Sequence, residues 1–214
     1  SGSDYFAVVI GSTVNIGTPS NNSVTTAILQ NGSVTTAKIA DDAVTMAKIA
    51  NDSVGANQIA NNADFNINGI TVGKGANSVS GNTAVGENAL DDSVSGGNNT
   101  AIGKNTLTNL TSGSNNTALG IASLASVTSG NDNTALGKAV LNANTGNRNT
   151  GIGYQALIAN TTADNNTAVG FNALTANTTG HTNTAVGREA AKSITTGYGN
   201  TALGSDSLEA NQTG

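Results

Sequence analysis

One short string, Asn-Thr-Ala-apolar-Gly, keeps returning along this chain from residue 82 onward. It begins at Asn82, Asn99, Asn116, Asn133, Asn149, Asn166, Asn183 and Asn200, with Gly151 in place of the Ala once. Every spacing is seventeen residues except the sixteen from Asn133 to Asn149. A fixed period of this kind marks a stacked repeat, in which each unit buries a small face against its neighbours. Each unit carries two apolar marks. The first is Val85, Ile102, Leu119, Leu136, Ile152, Val169, Val186 or Leu203. The second, five residues on, is Leu90, Leu107, Leu124, Leu141, Leu157, Leu174, Ala191 or Leu208. A Gly follows the first mark every time, and a second Gly recurs near the unit's end, with Ala163 breaking that series.

These parts predict a β-solenoid of about eight coils. Two short strands per coil would each bring one large side chain inward, with Gly corners accepting positive φ. Coils would stack about 4.8 Å apart. Asn at one fixed place predicts a ladder of amides, Asn82 to Asn99 to Asn116 and onward. The sixteen-residue unit should lose its residue in the loop 142–147 and leave the strands in register.

Composition limits what such a coil can bury. Of 214 residues only 3% are aromatic and 10% charged, against roughly a quarter charged in ordinary domains. Asn supplies 33 residues and Thr 30. A lone thin coil has little core, so the expected state is a homotrimer. The net charge of −5, with Lys and Arg scattered singly, leaves no basic stripe for phosphates and predicts no nucleic-acid partner. No cysteine means no disulfide or thiolate chemistry. The longest wholly apolar run is Phe6 to Ile10, too short to span a bilayer, so the chain is not expected to insert in a membrane.

Four segments follow. Residues 1–20 read as the last strands of an upstream domain. Residues 21–63 repeat every ten, with Val24, Val34, Val44 and Val54 alternating with Leu29, Ile39, Ile49 and Ile59. An apolar residue every five fits neither a continuous strand nor a continuous helix. It fits short extended pieces alternating with single helical turns, held by two other chains in a thin shaft. Residues 64–81 are a transition with a worn first coil, and 82–214 form the solenoid. The overall expectation is an all-β, trimeric repeat fibre.

The string "NNTAVGFNALTANTTGHTNTAVG" (residues 165–187) resembles repeats of bacteriophage tail fibres. It is also similar to the heads of trimeric autotransporter adhesins, which form trimeric β-rolls. The decapeptides "SVTTAKIADDAVTMAKIANDS" (33–53) look like tail-fibre shaft repeats, and "DYFAVVIGSTVNIGTPS" (4–20) like the end of a fibre domain that precedes such a shaft. The resemblance implies a structural and adhesive virion fibre, assembled in the host cytoplasm and extracellular after release. Its partners would be other tail or virion proteins and a host surface glycan or protein. The alternative is a bacterial adhesin head; a third class is a glycan depolymerase. Such fibres often end in a chaperone or receptor-binding tip, whereas this sequence stops at Gly214 inside a ninth turn. A tip beyond it, removed or separate, would account for that.

No enzyme, metal or cofactor is expected. His181 is the sole histidine and reads as a surface corner. The pairs Asp41-Asp42 and Asp91-Asp92 read as turn residues. One variable position stands out, the residue after the first Gly: Glu87, Lys104, Ile121, Lys138, Tyr154, Phe171, Arg188 and Ser205. It should face solvent, and Tyr154, Phe171 and Arg188 would then form a contact patch on successive coils, suited to a glycan or a neighbouring protein. Free drift at an exposed position is the alternative. Tyr198 lies at a different corner and fits either.

Overall fold

The computed structural model describes residues 64–92 and 94–210. The upstream strands and the decapeptide shaft, with Ile39 and Ile49, lie outside the described residues. So does the end of the chain after residue 210.

The described residues form one ten-stranded sheet in sequence order. It opens with a hairpin, β1 (Phe65–Ile67) and β2 (Ile70–Gly73). The two turn residues, Asn68 and Gly69, both take positive φ (51° and 82°), the conformation that an Asn-Gly hairpin turn requires. Strand β2 pairs antiparallel with β3 (Thr83–Gly86). The worn first coil is therefore corrected in part, since a hairpin covers the first edge of the stack. Only the stretch after it still runs along the first coil, with the Ala76 N–H donating to Leu90 O at 2.8 Å and Asn77 Nδ2 to Val94 O at 3.1 Å.

From β3 onward the chain repeats. Strands β4 (Thr100–Ile102), β5 (Thr117–Leu119), β6 (Thr134–Leu136), β7 (Thr150–Ile152), β8 (Thr167–Val169), β9 (Thr184–Val186) and β10 (Thr201–Leu203) stack parallel, each on its predecessor. Thr pairs with Thr and apolar with apolar at every step. Eight parallel strands bound seven turns, so this part of the chain is a β-solenoid with one repeat per turn. Across the sixteen-residue unit the register holds, Thr134 against Thr150 and Leu136 against Ile152. Thr145 still matches Thr128 and Thr161 of the adjoining coils, and the missing residue falls just after it, before Gly146.

Two expectations about the coil's interior are corrected. Each coil has one strand, not two, and the first mark faces outward. Its Ala points in: Ala84, Ala101, Ala118, Ala135, Ala168 and Ala185 are fully buried. Ile102, Leu119 and Ile152 are 37–43% exposed, and Leu203 is 77% exposed. Alternation along a strand sends adjacent residues to opposite faces, so Ala and its apolar neighbour cannot both be inside. The narrow interior takes the smaller one. Gly151 tests this packing, because a Cβ there would lie 2.4 Å from Val140 Cγ1. Val140 stands where other coils carry Ala, Ser or Thr, and the larger residue on one side matches the smaller on the other.

The second mark is buried as expected in every coil but the last, where Leu208 is 39% exposed, and it does not lie in a strand. Leu90, Leu107, Leu124, Leu141, Leu157 and Leu174 are fully buried, with φ between 49° and 54°. The residue two before each Leu is also left-handed, as at Ala122 (φ 56°). Their N–H groups reach opposite neighbours: Ala122 donates to Lys104 O below and Leu124 to Val140 O above, both at 3.0 Å. Left-handed backbone is unfavourable for a bulky residue. Here it turns the chain while keeping both adjoining coils hydrogen-bonded.

The Asn ladder forms as predicted. Asn99 Oδ1 accepts from Asn116 N (2.9 Å) and Asn116 Nδ2 (3.1 Å), and Asn116 Nδ2 also donates to Gly130 O (2.8 Å). From Asn82 to Asn183 these side chains are buried. The two Gly series have different causes. After the first mark φ lies between 115° and 146°. In the second series no such φ occurs; instead, a Cβ on Gly113 would lie 2.3 Å from Gly130 O.

Candidate recognition surface

The interior is filled mainly by Ala, Leu and Asn, with Val94, Val127, Val140, Ile194, Thr106 and Ser123 also buried, and much of the rest of each coil is displayed. Columns of equivalent residues then run along the stack, one residue per coil. Three of them carry the surface chemistry.

The first column is the apolar mark on the sheet face, flanked two residues earlier by the strand Thr. Val85, Leu136, Val169 and Val186 are half-buried and the others exposed, so a continuous aliphatic stripe runs along the strands. Sequence reasoning put this stripe inside. The constant Ala beside it was the available signal.

The second column is the variable position, and all eight of its residues are exposed. Glu87 and Lys104 pair across coils at 2.8 Å. Tyr154 and Phe171 stack face to face, centroids 5.4 Å apart and planes 12° apart, with 40% and 47% exposure. Arg188 occupies the next coil, where the Glu189 N–H donates to Phe171 O at 2.7 Å. Its guanidinium bonds Glu189 (2.8 Å) and lies 3.6 Å from Asp206. The structure thus brings Tyr154 and Phe171 into one platform and ties Arg188 to acids on its own coil and the next. Nearby, Lys192 joins Glu189 (2.7 Å) and Glu209 (2.6 Å), whose hydrogen bonds hold its ammonium above the usual lysine range.

The third column lies two residues before each ladder Asn: Gly97, Ser114, Asn131, Asn147, Asp164, His181 and Tyr198. His181 is exposed, as expected, and its ring stacks on that of Tyr198, centroids 5.1 Å apart. Tyr198 lies seventeen residues after His181, so the pair shows in the sequence only when the units are aligned. Asp91 and Asp92 are exposed beside a turn.

Fold and surface together define a repeat β-solenoid with outward ladders. Comparison with known proteins returns no match: no protein-family model, no curated protein and no solved structure. Among the described residues, no helix is long and apolar enough to cross a membrane.

Proposed function

We propose that this chain is a structural and adhesive fibre of a bacteriophage virion, a homotrimer that holds or forms the element contacting the host surface. The observation that carries it is the aliphatic stripe. A single coil leaves Ile102, Leu119 and Ile152 about two-fifths exposed on a regular sheet face. A column of apolar groups this long suits burial against other copies of the same column. Parallel association along the stripe yields a long, stiff particle, which is what a fibre needs. The tail-fibre resemblance of the repeats supports the same reading.

Recognition falls to the columns that association leaves free. The Tyr154–Phe171 platform is suited to a sugar face or a partner protein, with Arg188 beyond it. The fibre binds without catalysing. Mass spectrometry of purified phage particles tests the reading: peptides of this chain are expected among the tail components. Their absence from particles, with recovery from a bacterial outer surface instead, would favour the adhesin head. Release of sugar ends from a bacterial polysaccharide would favour the depolymerase.

A further inference from the structure

The coils carry three described aromatic residues, Tyr154, Phe171 and Tyr198, and none of them is buried. All three stand in stacked pairs, the third with the only histidine. We propose that Asp164, His181 and Tyr198, with Thr162 and Thr179 beside them, form a binding site for a neutral sugar residue of a surface glycan. The inference rests on the adhesive reading and gives it a second site, at a different corner from Tyr154 and Phe171.

The corner column shows how the site arises. From Gly97 to Asn147 each backbone N–H donates to a side-chain oxygen of the next coil. Gly97 donates to Ser114 Oγ (3.2 Å), Ser114 to Asn131 Oδ1 (2.9 Å), Asn131 to Asn147 Oδ1 (2.9 Å) and Asn147 to Asp164 Oδ1 (2.6 Å). The run ends at Asp164. Its Oδ1 also takes Asn147 Nδ2 (3.3 Å), while among the described residues nothing donates to its Oδ2. On the next coil the column changes character. The His181 and Tyr198 rings lie 14° from parallel, and Tyr198 is 68% exposed. Thr182 Oγ1, 3.3 Å from His181 Nδ1, steadies the imidazole. A groove lined by Thr162, Asp164, Asn165, Thr179 and His181 runs beside them.

A flat ring surface, an unengaged carboxylate oxygen and two exposed Thr hydroxyls therefore meet at one corner. A pyranose presents the complement: an apolar C–H face and a rim of hydroxyl donors. The imidazole of His181, backed by the stacked Tyr198 ring, takes the face, and Asp164 Oδ2 accepts from the rim. The carboxylate also repels acidic sugars, which makes the ligand neutral.

The test titrates methyl glycosides of glucose, galactose, mannose and N-acetylglucosamine into the isotope-labelled full chain. Amide resonances are followed by NMR. At least one glycoside should shift Asp164, Thr179, His181 and Tyr198 saturably. Tyr198→Ala and Asp164→Asn should each weaken that binding about tenfold or more, a change well above titration error. Both positions are solvent-accessible, and an unchanged melting midpoint would confirm that the variants fold. The proposal is overturned if no glycoside moves this corner, or if both variants bind as the parent does. Adsorption of the parent chain to bacterial cells is measured separately. A parent chain that adsorbs to cells while no glycoside moves this corner sinks this site and leaves the fibre reading standing. Glycoside binding at the corner without adsorption to any cell does the reverse.

Discussion

Leu124 and Ile121 sit three residues apart and have opposite fates. Leu124 is fully buried between coils, and Ile121 is 52% exposed on the variable column. Leu124→Ala should cost about 2–5 kcal/mol per chain, the usual range for a buried Leu. Ile121→Ser should change stability by less than about 0.5 kcal/mol, as surface substitutions do. Thermal or denaturant melts of the two variants check this, and equal losses would reverse the inside and outside of the coil. The Val140–Gly151 pair gives a sharper test. Gly151→Ala alone places a methyl against Val140 and should destabilise by about 1–3 kcal/mol through overpacking. Adding Val140→Ala restores the common pairing and should recover part of that loss. An additive pair of losses would show that the two residues do not share the space.

At the scale of the element, the coil's polar interior has one irregular stretch. Three residues after the buried mark, the chain places Leu110, Val127, Asn144, Asn160, Asn177 and Ile194 inward. The three Asn form a second ladder, Asn160 Nδ2 to Asn144 Oδ1 (2.6 Å) and Asn177 Nδ2 to Asn160 Oδ1 (2.8 Å). Ile194 cannot continue it, and Asn177 Oδ1 is left buried without a donor. The carbonyls this ladder serves at Gly146, Ala163 and Gly180 already receive the main ladder's Asn133, Asn149 and Asn166. Replacing Asn144, Asn160 and Asn177 together by Val therefore removes an orphaned acceptor and strands no carbonyl. The triple variant should melt no lower than the parent; a drop of several degrees would show that the second ladder is needed. Much of this element could be read from the sequence. The period gave the coil, the fixed Asn gave the main ladder, and the short unit's loop was found because its flanking marks kept their spacing. The direction of the first mark was not legible, because Ala and its apolar neighbour are both credible core residues. Nor was the left-handed Leu, since bulky residues rarely adopt that backbone and the choice depends on bonds to two other coils. The His181–Tyr198 stack was visible only to a reading that aligns the units.

For the whole molecule, the seven turns supply stiffness and the stripe on their strands supplies a reason to associate. Three stripes meeting along a common axis would bury what one chain exposes, and the corner columns would remain outside for recognition. Sedimentation equilibrium of the purified chain tests this most directly, with Leu119→Asp and Ile121→Asp run beside it. The account predicts a particle of about three times the 21.0 kDa chain mass for the parent and for Ile121→Asp. It predicts loss of that particle for Leu119→Asp, which would place three carboxylates at one level of the interface, a burial costing several kcal/mol per charge. A folded parent that sediments at the mass of one chain, or a Leu119→Asp variant that associates as the parent does, would contradict it.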